Sequence, residues 1–368
     1  MSSSRVWQGG GDGAVAWFKR YVGGKGYRNP PVRSTAMGTL DTCARMFLYS
    51  ERLGLRLKSY ESAPSRGSMY HSLLHHYRIG GSLARGQAAV QAFVVEESLR
   101  LKGLAGPDGL LPGGQDVATV MSNLQQDCNL AVAMAEAFVG VYPFPFEAWE
   151  VVRYTPEKVM SEVLYDWVVD GTPVRVRFDC VVRNKTTGEV WVVDDKTTSL
   201  DPVVRAASLS FGWQTLLYTA VMRGVLTESS GEGGTLAGVC HNVIRTPTIR
   251  YCGKDASFEA YVNRVSQWYR DEREKNPARP PILQSWTRLT ADDVLSPEFL
   301  RKLKAQHKAH RSLPRLPLFP RNEKACFHYN RPCPYLDLCQ SDSSGWPRLL
   351  DAKFEVRFRE DEEDEPRE

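Results

Sequence analysis

Residues 174–198, VRVRFDCVVRNKTTGEVWVVDDKTT, constrain the fold more than any other part of the chain. Two runs of β-branched residues with period-two alternation flank a turn-like KTTG at 185–188, a pattern that predicts an antiparallel hairpin. If Asn184 and Glu189 close the loop, Asp179 falls opposite Asp194. Opposed side chains in such a pair stand about 4.5–5.5 Å apart and like charges there are destabilising, so a positive group is expected between them. Lys196 shares the face of Asp194, whereas Asp195 points the other way on a regular strand. Val176, Phe178, Val181, Val190, Val192 and Val193 surround these groups with apolar material, which makes unpaired charge costly. Carboxylates are hard ligands suited to Mg²⁺ or Mn²⁺. The alternative reading leaves Asp179 and Asp194 as exposed strand-end acids with Lys196 as an ordinary ion-pair partner. The register decides between the two.

Around the hairpin, periodicity predicts helices over 37–52, 66–79, 84–103 and 115–140, with 103–114 as a loop. Strands follow over 147–154, 159–168, 173–183 and 189–195. A helix over 207–224, a strand over 236–245 and helices over 256–274 and 292–312 complete the pattern. The implied class is α+β, organised as an arm (1–33), a helical region (34–146), a core (147–275), a basic helix with a cysteine segment (276–345) and an acidic tail (346–368). A composition of 42% hydrophobic and 24% charged residues is that of a folded globular chain. The chain shows no apolar run of membrane-spanning length and no secretory h-region near its start, so a cytoplasmic protein without membrane partners is expected. The formal charge of +4 conceals a basic body, because 359–368 carries seven acids against two arginines. Without that segment 45 basic residues face 36 acidic ones, a balance that permits binding to a polyanion without requiring it.

Four motifs in order resemble the RecB-like branch of the PD-(D/E)XK nuclease superfamily, including iron-sulfur exonucleases of CRISPR-associated and phage types. Gly67 and His71 (RGSMYH) are similar to its G-x-x-x-H helix, and Asp179 (RFDCVV) to its first acidic strand. Asp194 and Lys196 (VVDDKT) are similar to its D-x-K strand, and Gln214 and Tyr218 (WQTLLY) to its Q-x-x-x-Y helix. The resemblance implies an αβββαβ restriction-endonuclease-like core with a helical N-terminal layer and a C-terminal iron-sulfur segment. It also implies that His71, Asp179, Asp194 and the backbone carbonyl of Asp195 hold Mg²⁺ or Mn²⁺. Lys196 would position the attacking water or stabilise developing negative charge. Gln214 and Tyr218, one helical turn apart, would contact the DNA backbone or hold Lys196. Glu162 (MSEVLY) resembles an acidic strand position of some relatives and is read as structural or supporting rather than catalytic.

Cys326, Cys333 and Cys339 cluster near the end of the chain, and Cys43 could supply a fourth thiolate. Four cysteines suit either [4Fe-4S] or zinc, and spacing alone does not choose. The resemblance implies the iron-sulfur cluster, although six residues between Cys326 and Cys333 depart from the usual two. Residues 301–322 hold seven Lys or Arg and no acid, which suits either a DNA-backbone contact or a solvated helix face. The expected function is therefore a metal-dependent deoxyribonuclease, an exonuclease acting on single-stranded or end-containing DNA, with replication or recombination proteins as partners. The competing expectation is a catalytically inactive DNA-binding or recombination subunit of the same fold.

Overall fold

The computed structural model describes residues 31–356, apart from 60, 113, 154–158, 211, 229–233, 291–292, 294, 313–320, 329–330 and 342–344. Residues 1–30 of the expected arm and 357–368 of the expected tail lie outside the described residues.

The helix expected over 37–52 is broken. Cys43 has an extended backbone that separates α1 (Ser34–Thr42) from α2 (Ala44–Phe47), and α2 passes into a π-helical turn (Leu48–Arg52) and strand β1 (Leu55–Leu57). The helical layer then follows as α3 (Ser62–Gly80), α4 (Ala84–Leu104) and α5 (Val117–Val141). Helix α3 stops at Gly81, whose φ of +71° suits a residue without Cβ. There the Gly81 N–H reaches the Tyr77 carbonyl at 2.7 Å. Helix α5 starts where Asp116 accepts the Thr119 N–H at 2.8 Å, the contact an N-cap makes.

The hairpin forms in the expected register. Strands β2 (Trp149–Val151) and β3 (Ser161–Val169) pair along β4 (Thr172–Asn184), and β4 pairs antiparallel with β5 (Glu189–Thr198), Cys180 facing Val193 and Val182 facing Trp191. Asn184 Oδ1 closes the turn by accepting the Thr186 and Thr187 N–H groups, each at 2.9 Å, as turn asparagines do. Two helices replace the one expected over 207–224: α6 (Pro202–Leu209) and α7 (Trp213–Glu228). Asp201 caps α6 by accepting the Val203 N–H at 2.8 Å. Pro202 occupies the first turn, where its missing N–H costs nothing. Strand β6 (Thr235–Arg245) then lies parallel to β5. After α8 (Phe258–Lys275), an unexpected strand β7 (Ile282–Arg288) pairs antiparallel with β6, so the core continues past residue 275. Strand β7 is an edge strand whose side chains are mostly half-buried, and so it lacks a clean alternation.

The path α3, β3, β4, β5, α7, β6 is the αβββαβ core. One face of the sheet carries Val176, Phe178, Val192 and Val239 under α7 and α9 (Pro297–Ser312), with Leu217, Val221, Phe299 and Leu303 as the covering layer. The other meets the helical layer through Ile244 and Ile282.

The C-terminal segment folds back on the N-terminal one. Strands β8 (Phe327–His328) and β9 (Arg331–Pro332) form a small ribbon, followed by α10 (Leu336–Gln340), α11 (Trp346–Lys353) and β10 (Phe354–Val356). Strand β10 pairs with β1, and Phe47, Tyr49, Leu53 and Leu55 share a core with Tyr335, Leu338, Trp346 and Phe354. The acidic tail therefore does not begin at 346. The amphipathic run 346–356 supplies the apolar half of this annex, and the acids come later.

Candidate active site

The site forms where strand regularity fails. Val174, Val176 and Phe178 of β4 lie in the core under α7, but Cys180 and Val182 lie on the opposite face, so the alternation breaks at Asp179. Across the ladder, Ser161 pairs with Cys180 and Val163 with Phe178, and the residue between, Glu162, has a φ of +50°. A non-glycine residue held there costs about 1–3 kcal/mol, a strain that concentrates at functional positions. His71 of α3 approaches this break, its Nδ1 standing 3.5 Å from Glu162 Oε1 and 3.5 Å from Asp179 Oδ2. Ligand atoms of His71, Glu162 and Asp179 all lie within 4.8 Å of one another.

The β4–β5 ladder stops at Cys180 and Val193, and a side chain continues it: Asp179 Oδ2 accepts the Asp195 N–H at 2.9 Å. Lys196 fills the expected position between the two acids, its Nζ 2.5 Å from Asp194 Oδ1 and 3.7 Å from Asp179 Oδ2. It also donates to the Asp195 carbonyl at 3.2 Å. Asp179 and Asp194 are buried, not strand-end acids on the surface. The Asp195 carboxylate faces the other side, where Arg78 of α3 grips it through Nη1 at 2.5 Å and Nη2 at 2.7 Å and Asn242 Nδ2 donates at 2.9 Å.

Charge balance follows from these contacts. Burial opposes the imidazolium of His71, but Asp179 and Glu162 outweigh it and push its pKa up to about 10, since nearby carboxylates favour the charged ring. Burial would raise Asp179, yet His71 and Lys196 hold it below the usual carboxylate range. Burial likewise opposes the Lys196 ammonium, and Asp194 and Asp179 reverse the sign and raise it. The site is thus a buried pair of carboxylates neutralised by two cations, with carboxylate and imidazole donors converging at its mouth. Such hard, mostly oxygen donors fit Mg²⁺ or Mn²⁺.

Gln214 and Tyr218 behave as a brace. Gln214 Nε2 donates to the Tyr218 hydroxyl at 2.7 Å, and that hydroxyl donates to the Arg177 carbonyl, two residues before Asp179. The pair holds β4 instead of Lys196, which is bound by its own strand neighbours. Glu162, read as structural or supporting, stands with His71 and Asp179 in a group that could hold a metal ion, while Asp194 is engaged by Lys196 and by His241 of β6. His241 and Arg78 are the residues that sequence reasoning passed over. Arg78 lies two turns from His71 on the same helix, and His241 interrupts the buried run Val239, His241, Val243, which an alternation pattern treats as strand interior.

The annex brings the four cysteines together. Burial raises the Cys333 thiol, and the nearby Cys43 and Cys326 raise it further. Cys339 is raised by burial, with Cys333 and Cys43 adding to the effect and Arg45 and Arg321 opposing it. Cys326 accepts the Cys333 N–H on its carbonyl at 2.8 Å, closing the ribbon between them.

A strained acid, a D-x-K strand and a crossover helix meet on one sheet. The family model of the PD-(D/E)XK nuclease superfamily matches residues 34–340, and the chain belongs to that superfamily. A solved structure from Eubacterium rectale, provisionally described as an exonuclease, is similar over 79% of this chain and 99% of its own, at 10% identity and a TM-score of 0.30. No curated protein matches the chain. Among the described residues no helix is long and apolar enough to cross a membrane.

Proposed function

We propose that the chain is a divalent-cation-dependent DNA exonuclease that prefers single-stranded ends, and that its annex holds a [4Fe-4S] cluster. The observation that carries the nuclease reading is the Lys196 ammonium set between two buried aspartates beside the His71, Glu162 and Asp179 donors. His71, Glu162, Asp179 and Asp194, with the Asp195 carbonyl, would hold Mg²⁺ or Mn²⁺. Such an ion supplies Lewis-acid polarisation of a phosphoryl oxygen and lowers the pKa of bound water. Lys196 stays protonated and presents its ammonium to charge developing on the phosphate. Gln214 and Tyr218 hold β4 so that Asp179 keeps its place, a positioning role. The exposed basic residues Arg301, Lys302, Lys304 and Lys308 of α9 offer phosphate contacts along one helix.

For the annex, four thiols converge on one small core, but among the described residues no three of them close to within 4.8 Å. Four cysteine ligands suit either zinc or a [4Fe-4S] cluster, and the family resemblance favours the cluster.

The deciding experiment digests DNA labelled separately at each end, single- and double-stranded, with Mg²⁺ and with Mn²⁺. Stepwise loss from one end of the single strand supports the reading. Intact DNA under every condition favours the non-cleaving subunit. Iron content and visible absorption of anaerobically purified protein test the annex, and zinc without iron would replace the cluster with a structural zinc site.

A further inference from the structure

His241 lies in the sheet with 0% exposure, in register with Asp194 across the parallel β5–β6 pair. Its same-face neighbours on β6, Val239 and Val243, are also fully buried, so it is a polar break in an apolar stripe. Each ring nitrogen has one partner. Nδ1 faces Asp194 Oδ2 at 3.1 Å, and Nε2 faces the Thr215 hydroxyl at 3.3 Å. Thr215 donates its only hydroxyl proton to the Leu209 carbonyl at 2.6 Å, so toward the ring it can only accept. The contact of Nδ1 with a carboxylate oxygen needs a proton between the two atoms, which the tautomer with hydrogen on Nδ1 supplies. Asp194 is thereby held from both sides, Oδ2 by His241 and Oδ1 by Lys196 at 2.5 Å.

Packing alone does not account for this arrangement. Desolvating an imidazole, a carboxylate and a hydroxyl is unfavourable, and apolar residues of similar volume would commonly be neutral or stabilising. What the arrangement secures is direction: a carboxylate fixed through Oδ2 presents Oδ1 to Lys196, on the side of Asp179, and the opposite end of the relay is anchored where α6 ends and α7 begins.

We propose that His241 is a positioning residue that fixes the rotation of Asp194 through Nδ1, with Thr215 fixing the ring through Nε2. The proposal rests on the cation-dependent nuclease reading. It predicts that the position of the hydrogen-bond donor matters more than the volume of the side chain. Asparagine at 241 places an amide nitrogen where Nδ1 stands, glutamine places one where Nε2 stands, and leucine fills the space with neither.

The test compares His241→Asn, His241→Gln and His241→Leu with the unaltered protein. Mn²⁺ affinity is measured by calorimetry without DNA, kcat and KM with a single-stranded oligonucleotide, and folding by thermal melting. The expected result is that His241→Asn stays within about 3-fold of the unaltered protein in Mn²⁺ affinity and kcat, while His241→Gln and His241→Leu lose roughly 10- to 100-fold, KM for DNA changing little. Full kcat and Mn²⁺ affinity in His241→Leu would overturn the proposal. So would equal loss in the folded Asn and Gln variants, because donor position would then be irrelevant. An unaltered protein that neither binds Mn²⁺ nor cleaves DNA sinks the nuclease reading and this proposal with it, an outcome distinct from an active enzyme indifferent to residue 241.

Discussion

Asp194 and Asp195 are adjacent in β5 and each is 1% exposed, yet the two faces of the sheet treat them differently. Asp195 meets a guanidinium fork and an amide, and burial, which would raise it, is overcome by Arg78. The network runs on without a gap: Gln284 Nε2 donates to Asn242 Oδ1 at 3.0 Å, and Trp286 Nε1 donates to Gln284 Oε1 at 3.1 Å. Asp194 instead meets one ammonium and one imidazole, and the ammonium is shared with Asp179 near the half-buried His71 and Glu162. A bidentate arginine is a permanent partner, whereas a lysine tip can yield its carboxylate oxygen to an incoming cation. On the proposed reading, one acid belongs to the scaffold and its neighbour to the reaction.

Separating the two roles gives the largest expected effect. Asp194→Asn should lower DNA cleavage by at least roughly 10³-fold, because several kcal/mol of charge stabilisation depend on it, while the melting temperature moves little. Steady-state cleavage and a thermal melt on one preparation check both halves. On the opposite face the order reverses. Arg78→Met leaves Asp195 buried without its counter-charge and should destabilise the fold by about 3–5 kcal/mol, read by urea unfolding, and adding Asp195→Leu should recover most of the loss.

These contrasts also show what the amino-acid order could reveal. The hairpin was legible because Asn184 and Gly188 mark its turn and the flanking valines alternate, and that register predicted Lys196 between Asp179 and Asp194. Glu162 was legible only as a structural or supporting acid, because its own left-handed backbone, which turns the carboxylate toward His71, leaves no trace in a period-two pattern. His241 and Arg78 depend on partners brought by a parallel crossover and by helix docking, neither of which spacing encodes. Strand β7 was missed because ILQSWTR, on a sheet edge, mixes half-buried and exposed positions. Two boundaries moved for similar reasons: Asp201 and Pro202 start a separate helix, and Trp346 and Leu350 carry the annex beyond the point where the acidic tail was expected.

A smaller effect isolates the strain. Glu162→Gly removes the unfavourable left-handed side chain and should stabilise the protein by about 1 kcal/mol in chemical unfolding, while weakening Mn²⁺ affinity roughly 10- to 100-fold. A loss of stability instead would mean that the carboxylate contributes more to the fold than its backbone costs. The cation-free site should also carry a pH dependence. His71 has a folded pKa of about 10 against an ordinary value near 6.5. Its contribution to the cation-free fold is therefore complete below about pH 6.5 and is lost as pH rises toward about 10. His71→Gln should flatten that slope in melting curves taken with a chelator. The Arg78–Asp195 pair stays charged across the same range, so changing it should leave the slope in place.

The pairing of β1 with β10 means that residues 55–57 wait for residues 354–356. The contact between Lys58 and Asp351 spans 293 positions. At about 5–20 residues per second, a ribosome needs roughly 15–60 s to cover that distance. Throughout that interval Phe47, Tyr49 and Leu55 have emerged without the Tyr335, Trp346 and Phe354 side chains that bury them. The nascent chain therefore carries a half-built apolar module until Phe354 has been made, and a stop codon shortly before Trp346 would leave Phe47, Tyr49 and Leu55 without their cover.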